Sequence, residues 1–488
     1  MKNHLSAISF ILAITSFLAI LSSCGNNANN GEPDSVSESD EATSSAAPDY
    51  LDTLGTKDFG GASYTIVYPN VTTSGMLNMH SGEITGEVVN DAQFNRDKFV
   101  EKQYNVSIEY IILDDIGGSD GVANSSLAGD HVSDIYIHSL SDGKRNLGSV
   151  FTKGALANML DFPYLQLDRE WWSSLMYENF KINDKIYFTS GDLAPSSFLG
   201  LACVYMNLKV AGNYGIDSSA IFDKVYDGSW THDYMYTLTK DLDIDLNNDD
   251  KLDCINDFFG VVNEYNNLTS TMLLASCGVH LSEINKKTGK LEADLGSPKV
   301  SAVVEKMASI YKLIDNAGDN TNFFDKNFKY DGSLFAIHYI ESTLRRFRDM
   351  ESDYVMYPMP KYDEKQESYV SYLNPWVSGF ISIPLVQNDH EKTGFITEVL
   401  EYLSVRDVRP EVIDVTLKGK ALRDDDSIAI LDLIFSTSYL DYNGIYEFGG
   451  GLGAVNSAIF GGKPYQSTLE SKKSKMETEI EEFSKLFD

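Results

Sequence analysis

A strand, a helix and a second strand in direct succession limit what this chain can fold into more than any other feature. Residues Ser63–Tyr68 alternate apolar and polar side chains, a helical pattern runs from Asn90 to Tyr104, and Val106–Leu113 alternates again. A further short strand, Asp134–His138, follows a polar loop. Strands joined through helices pair in parallel and need both faces of their sheet covered, so the expected fold class is α/β. Asn90 is placed to cap the helix, with Asp91 in its first turn. Phe94, Phe99, Val100 and Tyr104 would form its apolar side, while Arg96, Lys98, Glu101 and Lys102 stay in water. Long helical stretches at Lys299–Ala317 and Lys392–Leu403 alternate with strand-like runs at Tyr354–Tyr357 and Phe380–Pro384, which describes a large mixed protein in two lobes. No repeat of fixed period occurs.

Residues 1–55 are expected to carry no fold. Lys2 precedes an apolar run from Leu5 to Leu21 that ends in Leu21-Ser22-Ser23-Cys24, the pattern of a lipoprotein signal peptide over residues 1–23 with lipidation at Cys24. Residues 24–55 are mainly Asn, Ser, Asp, Glu, Gly and Ala, too polar to pack, and read as a disordered tether between lipid and folded part. The expected location is the outer face of a bacterial cytoplasmic membrane, held by the lipid anchor alone.

The formal charge of −33 excludes nucleic acid as a partner, because such binding needs clustered Lys and Arg. Beyond Cys24 the cysteines are Cys203, Cys254 and Cys277, an odd number without metal-like spacing, so at most one disulfide can form and Cys254 with Cys277 is the pairing to test. The chain has no HExxH, no GxSxG elbow, no Walker loop and no strand-coupled GxGxxG. The cluster Gly449-Gly450-Gly451-Leu452-Gly453 reads as an irregular turn between helices. Trp171-Trp172 reads as packing, and Trp230 as a staple beside Thr231, a helix cap with Asp233 in the first turn. A glycan-degrading enzyme stays open, since a pair of catalytic carboxylates is defined only in space.

One constellation carries ion chemistry. Asp245, Asn247, Asp249, Lys251 through its carbonyl, and Asp253 follow the start of an EF-hand-like calcium loop, with Asp257 shortly after. Two positions depart from that pattern: Asp250 stands where glycine normally turns the chain, and Asn256 where a bidentate glutamate normally closes the site. The expectation is a structural calcium, set against a solvated acidic turn; no cofactor is required.

The order of several motifs is similar to that of a known family. Phe59-Gly-Gly-Ala-Ser-Tyr-Thr-Ile, Gly86-Glu-Val-Val-Asn-Asp-Ala, Asn95-Arg96, Gly191-Asp-Leu-Ala-Pro and Asp227-Gly-Ser-Trp-Thr231 are followed by the Asp245 loop, Tyr357-Pro-Met-Pro-Lys-Tyr362, Asn374-Pro-Trp376, Val408-Arg-Pro, Leu417-Lys-Gly-Lys420 and Arg423-Asp424. Over nearly the whole chain after the tether this resembles the extracellular solute-binding lipoproteins of bacterial ABC importers, periplasmic-binding-protein-like family 1, in the branch mostly assigned to carbohydrate uptake.

The resemblance implies a two-lobed periplasmic-binding-protein fold of type II with ligand in the cleft between lobes. It implies a first lobe from residues 56–192 and 336–400, a second from 193–335, and C-terminal helices from 401–488 lying mainly on the second. The chain would cross first near Ser190–Pro195 and return near Phe335–Ile340. The ligand-binding candidates it suggests are Asn70, Asp192, Glu341, Tyr372, Asn374, Trp376, Tyr446 and Phe448. The implied activity is capture of a sugar, an oligosaccharide above all, by a monomer that delivers it to membrane permease subunits without covalent chemistry. The alternatives are a cell-surface glycan-degrading enzyme, a receptor for peptide or another solute, for which Arg345, Arg346 and Arg348 leave room, and a sensor in place of a transport receptor.

Overall fold

The computed structural model describes residues 49–70, 80–139, 147–263, 267–311, 327–413 and 425–487. The signal segment, Cys24, most of the tether and the motif at Leu417–Asp424 lie outside the described residues. The chain divides into two compact units, Met1–Gly55 and Thr56–Asp488. Of the first, the described part is a helix at Tyr50–Leu54 with Asp49 accepting from the Leu51 N–H. Among the described residues no helix is long and apolar enough to cross a membrane.

The second unit is built on two sheets. The first begins with β1 (Ala62–Tyr68), β2 (Val106–Ile112), β3 (Ile135–His138) and β4 (Phe188–Thr189), all within a residue or two of the expected positions where an expectation existed. The second contains β5 (Ala202–Asn207), β6 (Phe259–Asn263), β9 (Ser333–Tyr339) and β10 (Tyr354–Pro358). A short hairpin, β7 (Glu283–Ile284) with β8 (Leu291–Glu292), stands apart. β11 (Ser371–Tyr372) pairs with β13 (Ser438–Tyr439), and β12 (Phe380–Ser382) rejoins the first sheet. The strand orders are β2-β1-β3-β12-β4 and β10-β5-β9-β6. Each sheet has one strand antiparallel to its neighbours, β12 in the first and β5 in the second. Each is the first strand laid down after the chain arrives from the other sheet.

Two crossings result from this order. The first runs from Thr189 in β4 to Ala202 in β5. The return was expected near 335–340, but those residues lie in and just after β9, which is hydrogen-bonded between β5 and β6; the chain leaves the second sheet only after Pro358 and rejoins the first at Phe380. The crossing segments are bonded to one another: the Asn374 N–H donates to the Gly200 carbonyl at 2.9 Å and the Leu373 N–H to the Tyr439 carbonyl at 2.8 Å.

Helix α1 (Val88–Tyr104) begins two residues before the expected cap, and Glu87, not Asn90, is the N-cap, accepting from the Asn90 N–H. Its inward face is more polar than the pattern suggested. Phe99 is exposed, whereas Arg96 is fully buried and donates to Asp97 at 2.9 Å, to Ser404 Oγ at 2.9 Å and to Tyr110 OH at 3.2 Å. A guanidinium can be buried this way because each bond returns part of the hydration it loses.

Helix α2 (His390–Leu403) is buried around most of its circumference. Gly394 lets it press against the 162–163 turn, where an added Cβ would stand 2.1 Å from the Pro163 carbonyl oxygen. Asp389 caps it, Lys392 pairs with buried Asp134 at 3.1 Å, and Thr393 donates to the same carboxylate at 2.7 Å. Lys392 also donates to the Ser63 carbonyl. In the second sheet's layer Trp230 is buried with its indole N–H on the Pro358 carbonyl at 2.9 Å, and Thr231 caps the helix His232–Thr239, as expected of the staple.

Helix Pro298–Ile310 matches the start of the expected Lys299–Ala317 stretch. Helix α3 (Gly451–Ile459) packs on Asn267–Ser276 and Pro298–Ile310, and α4 (Tyr465–Ser484) lies against α3. Beyond α4's start the chain reaches back toward the first sheet's layer, where Phe483 meets Phe151 at 5.4 Å and Phe487 meets Tyr187 at 5.7 Å. Gly449 and Gly450, both at positive φ, make the irregular turn before α3. Cys203, Cys254 and Cys277 are buried and none of them is in a disulfide, so the Cys254–Cys277 pairing does not form: Cys203 lies within β5 and Cys277 just past a helix end.

Replacing Lys392 with methionine should lower stability by about 3 kcal/mol in urea unfolding, because it leaves Asp134 buried without its cation. His138 and His232 are enclosed, and burial holds both imidazoles down to about 3, for His232 with help from the Lys306 charge. Between their ordinary range near 6.5 and that value, the unfolded chain binds protons that the folded chain refuses, so each histidine subtracts stability as the pH falls. In a proton NMR titration from pH 7 to 5, two of the imidazole signals should therefore stay fixed.

Candidate functional site

A cavity of about 640 Å³ opens where the end of β9, the second crossing and the segment before α3 come together. β9 is buried along its whole length, and that anchors the two residues after it: the Ile340 and Glu341 N–H groups donate to the Leu201 and Leu199 carbonyls at 3.0 and 2.9 Å. Glu341 is thereby held at the cavity wall, buried, with Arg345 at 3.3 Å and Arg346 at 3.6 Å from its carboxylate. Paired with two guanidinium groups, it lines the cavity as a charge-balanced acceptor.

The second crossing supplies the opposite kind of surface. Asn374 is buried and its Oδ1 accepts the Trp376 N–H at 2.9 Å, so an asparagine turn around Pro375 presents the indole. Trp376 keeps 40% of its surface in solvent, the other three tryptophans being buried. Glu447 and Asn456 complete the lining; Asn456 Oδ1 is enclosed with no hydrogen-bond partner among the described residues. A flat aromatic face ringed by carboxylate, amide and guanidinium groups suits a ligand that is apolar on its faces and rich in hydroxyls at its edge.

A second cavity, of about 200 Å³, lies on the other face of the crossing segments. Leu373 lines it while the next residue, Asn374, lines the cleft, and successive side chains of an extended segment point opposite ways. Asp192 belongs here, 3.3 Å from Arg409, whose guanidinium lies over the rings of Phe198 and Phe435. Trp171 and Trp172 also line it, their indole N–H groups on the buried Glu398 carboxylate at 2.9 and 2.8 Å, which is packing as expected.

Of the expected ligand residues, the structure brings together Glu341, Asn374 and Trp376. Asp192 faces the second cavity. Tyr372 is fully buried, its hydroxyl on the Gly444 carbonyl at 3.2 Å. Tyr446 and Phe448 line a separate apolar cavity of about 320 Å³ with Phe483 and Leu486, while Glu447 between them turns to the cleft from a left-handed φ of 47°. Asn70 is not part of the cleft lining. His338, Tyr339, Glu447 and Asn456 carried no sequence signal as cleft residues, and Arg346 was considered only for a ligand carboxylate; Glu447 lies between two expected residues along the chain.

The acidic loop does not converge on a point. Asp245 accepts the N–H groups of Asn248 and Asp250, Asn247 that of Asp249, Asp249 that of Lys251, Asp253 those of Ile255 and Asn256, and Asp257 those of Leu246 and Asp253. Among the described residues no group of three or more His, Cys, Asp or Glu is arranged to hold a metal ion.

Solved structures share this fold. The maltose/maltodextrin-binding domain MalE from Bdellovibrio bacteriovorus, bound to maltotriose, aligns with a TM-score of 0.52 at 12% identity, over 86% of this chain and 100% of that one. ABC substrate-binding protein Lmo0181 from Listeria monocytogenes, in complex with cycloalternan, aligns with a TM-score of 0.51 at 12% identity, over 86% and 99%. The two-lobed α/β architecture is common to all three. No family model matches the chain, and no curated protein matches it.

With Trp171, Trp172 and Trp230 enclosed, acrylamide should quench one accessible tryptophan component, and Trp376→Phe should abolish that component while leaving the blue-shifted emission of the rest.

Proposed function

We propose that this chain is a lipid-anchored extracellular receptor that captures an oligosaccharide in the cleft and delivers it to an ABC importer. The observation that carries the reading is the half-exposed indole of Trp376, fixed by Asn374 and faced by Glu341 across a cavity of about 640 Å³. A pyranose ring stacks its C–H face on such an indole and spends its hydroxyls on the carboxylate, amide and guanidinium groups around it. Two proteins of the same fold were solved with maltotriose and with cycloalternan, which supports a sugar and does not choose among sugars.

In this reading Glu341, Trp376, Arg346, Glu447 and Asn456 touch ligand, and Asn374 positions Trp376. The first lobe is built on residues 56–189 and 380–403 and the second on 202–358, with the crossing segments as hinge. Closure about those segments brings the β9 end and the Trp376 turn together over the ligand and presents a surface to the permease. Cys24 carries the lipid, residues 24–55 give reach, and no covalent step takes place.

A thermal-shift screen of residues 50–488 against maltotriose, cycloalternan and a panel of other glycans tests this. A bound glycan at a hundred times its dissociation constant adds about 2.7 kcal/mol to stability, and Trp376→Ala should weaken that glycan about thirtyfold, or 2 kcal/mol, with the fold intact. A panel without any shift would remove the sugar assignment, and a glycan recovered cut would replace the receptor with an enzyme.

A further inference from the structure

Glu401 lies one turn beyond Glu398 on α2 and is wholly buried. Its two carboxyl oxygens accept the backbone N–H groups of Asp192 at 2.6 Å and Leu193 at 2.9 Å, the start of the first crossing. The fit explains Gly191, where an added Cβ would stand 2.4 Å from Glu401 Oε1. The start of the first crossing is thus bonded through its backbone to the Glu401 side chain.

The charges around that contact do not balance. Glu398, on the same helix, has the Trp171, Trp172 and Gln166 N–H donors. Asp192, on the crossing, has Arg409, from the segment after α2. Glu170, on the segment bearing the tryptophans, lines the adjoining cavity. Arg409 is paired with Asp192, Arg169 lies over the Trp171 ring at 5.9 Å from its centroid, Arg96 donates to Ser404 at the end of α2, and Glu401 has no cation of its own among the contacts described. Burial, followed by the negative charge of Asp192, drives its carboxyl well above the usual range, against the pull of its two backbone bonds. Asp192 is raised by burial and held back by Arg409.

We propose that Glu401 is a positioning residue that forms a proton-linked latch on the first crossing, joining it to α2 when protonated and loosening it on ionisation. A protonated carboxyl still offers lone pairs to the two N–H groups but adds no charge to the cluster. When the proton leaves, repulsion from Asp192 and Glu398 and the demand of a buried carboxylate for water favour separation of crossing and helix. Because the folded chain keeps a proton that the unfolded chain gives up near pH 4.3, the latch contributes fully below that pH and is lost as the pH rises toward the raised value. Its bearing on ligand capture rests on the receptor reading; the latch itself does not.

The test uses the protein without ligand, so it stands apart from the sugar assignment. Urea midpoints of the wild type and of Glu401→Gln are compared from pH 5 to pH 9. An amide is uncharged at every pH but sets its NH2 against one of the two backbone donors, so the variant should start below the wild type at pH 5 and the wild type's lead should shrink as the pH rises, while Asp192 and Leu193 amide exchange, corrected for intrinsic rate, accelerates with pH only in the wild type. A midpoint difference that stays constant across the range would overturn the latch and leave Glu401 an ordinary ionised cap. Should Glu401→Gln not fold, Asp192→Asn decides: without the neighbouring charge and with Arg409 released, the pH slope should flatten, and an unchanged slope would overturn the proposal.

Discussion

Two glutamates one turn apart on a buried helix hold the first lobe in its arrangement. Glu398 gathers the Gln166 backbone and both indoles of the Trp171-Trp172 pair, and Glu401 gathers the backbone of the first crossing. Five N–H groups, from two segments far away in sequence, end on side chains of α2. Without those acceptors the donors would be buried and unsatisfied, each at a cost of about 1–3 kcal/mol, so neither the 166–172 segment nor the crossing could lie where it does. The helix occupies the place that an apolar core element would fill, but it specifies position as well as burial.

What the crossing segments reach is set by the same arrangement. Gly200 and Leu201 meet Leu373 and Asn374, and Leu373 in turn meets Tyr439, so the three passages form one narrow ribbon. Asn374 belongs to that ribbon by its backbone and to the cleft by its side chain. The indole of Trp376 is therefore mounted two residues from the point where the crossing passages bond to one another.

Much of the first sheet was legible because β1 and β2 run seven residues each with an alternating pattern and the helix between them begins at a polar cap. The remainder was hidden for physical reasons. β4, β11 and β13 are two residues long and show no period, since their pairing is imposed by the segments on either side. β9 is buried throughout, which marks a strand covered on both faces but does not say in which sheet, and the return crossing was consequently expected too early in the chain. Arg96 reads as a surface residue in any helical wheel, and only Asp97, Ser404 and Tyr110, brought together by the fold, make its burial tolerable. Of the residues that line the cleft, Glu341, Asn374 and Trp376 were suggested by the resemblance. Glu447 and Asn456 arrive from a part of the chain whose aromatic residues attracted attention but face elsewhere.

The position of β12 reaches beyond the finished structure. It fills the place between β3 and β4, yet it is made long after β4. Until Phe380 has been synthesised β4 lacks its strand partner in the first sheet, and until α2 is added, Asp134 lacks its cation and the 166–193 segment lacks its acceptors. The second sheet, by contrast, is complete in strands at Pro358. Order of synthesis and order of assembly thus run opposite ways: the half of the molecule that emerges first is the half that must wait, extended and uncommitted, for the end of the chain to close it.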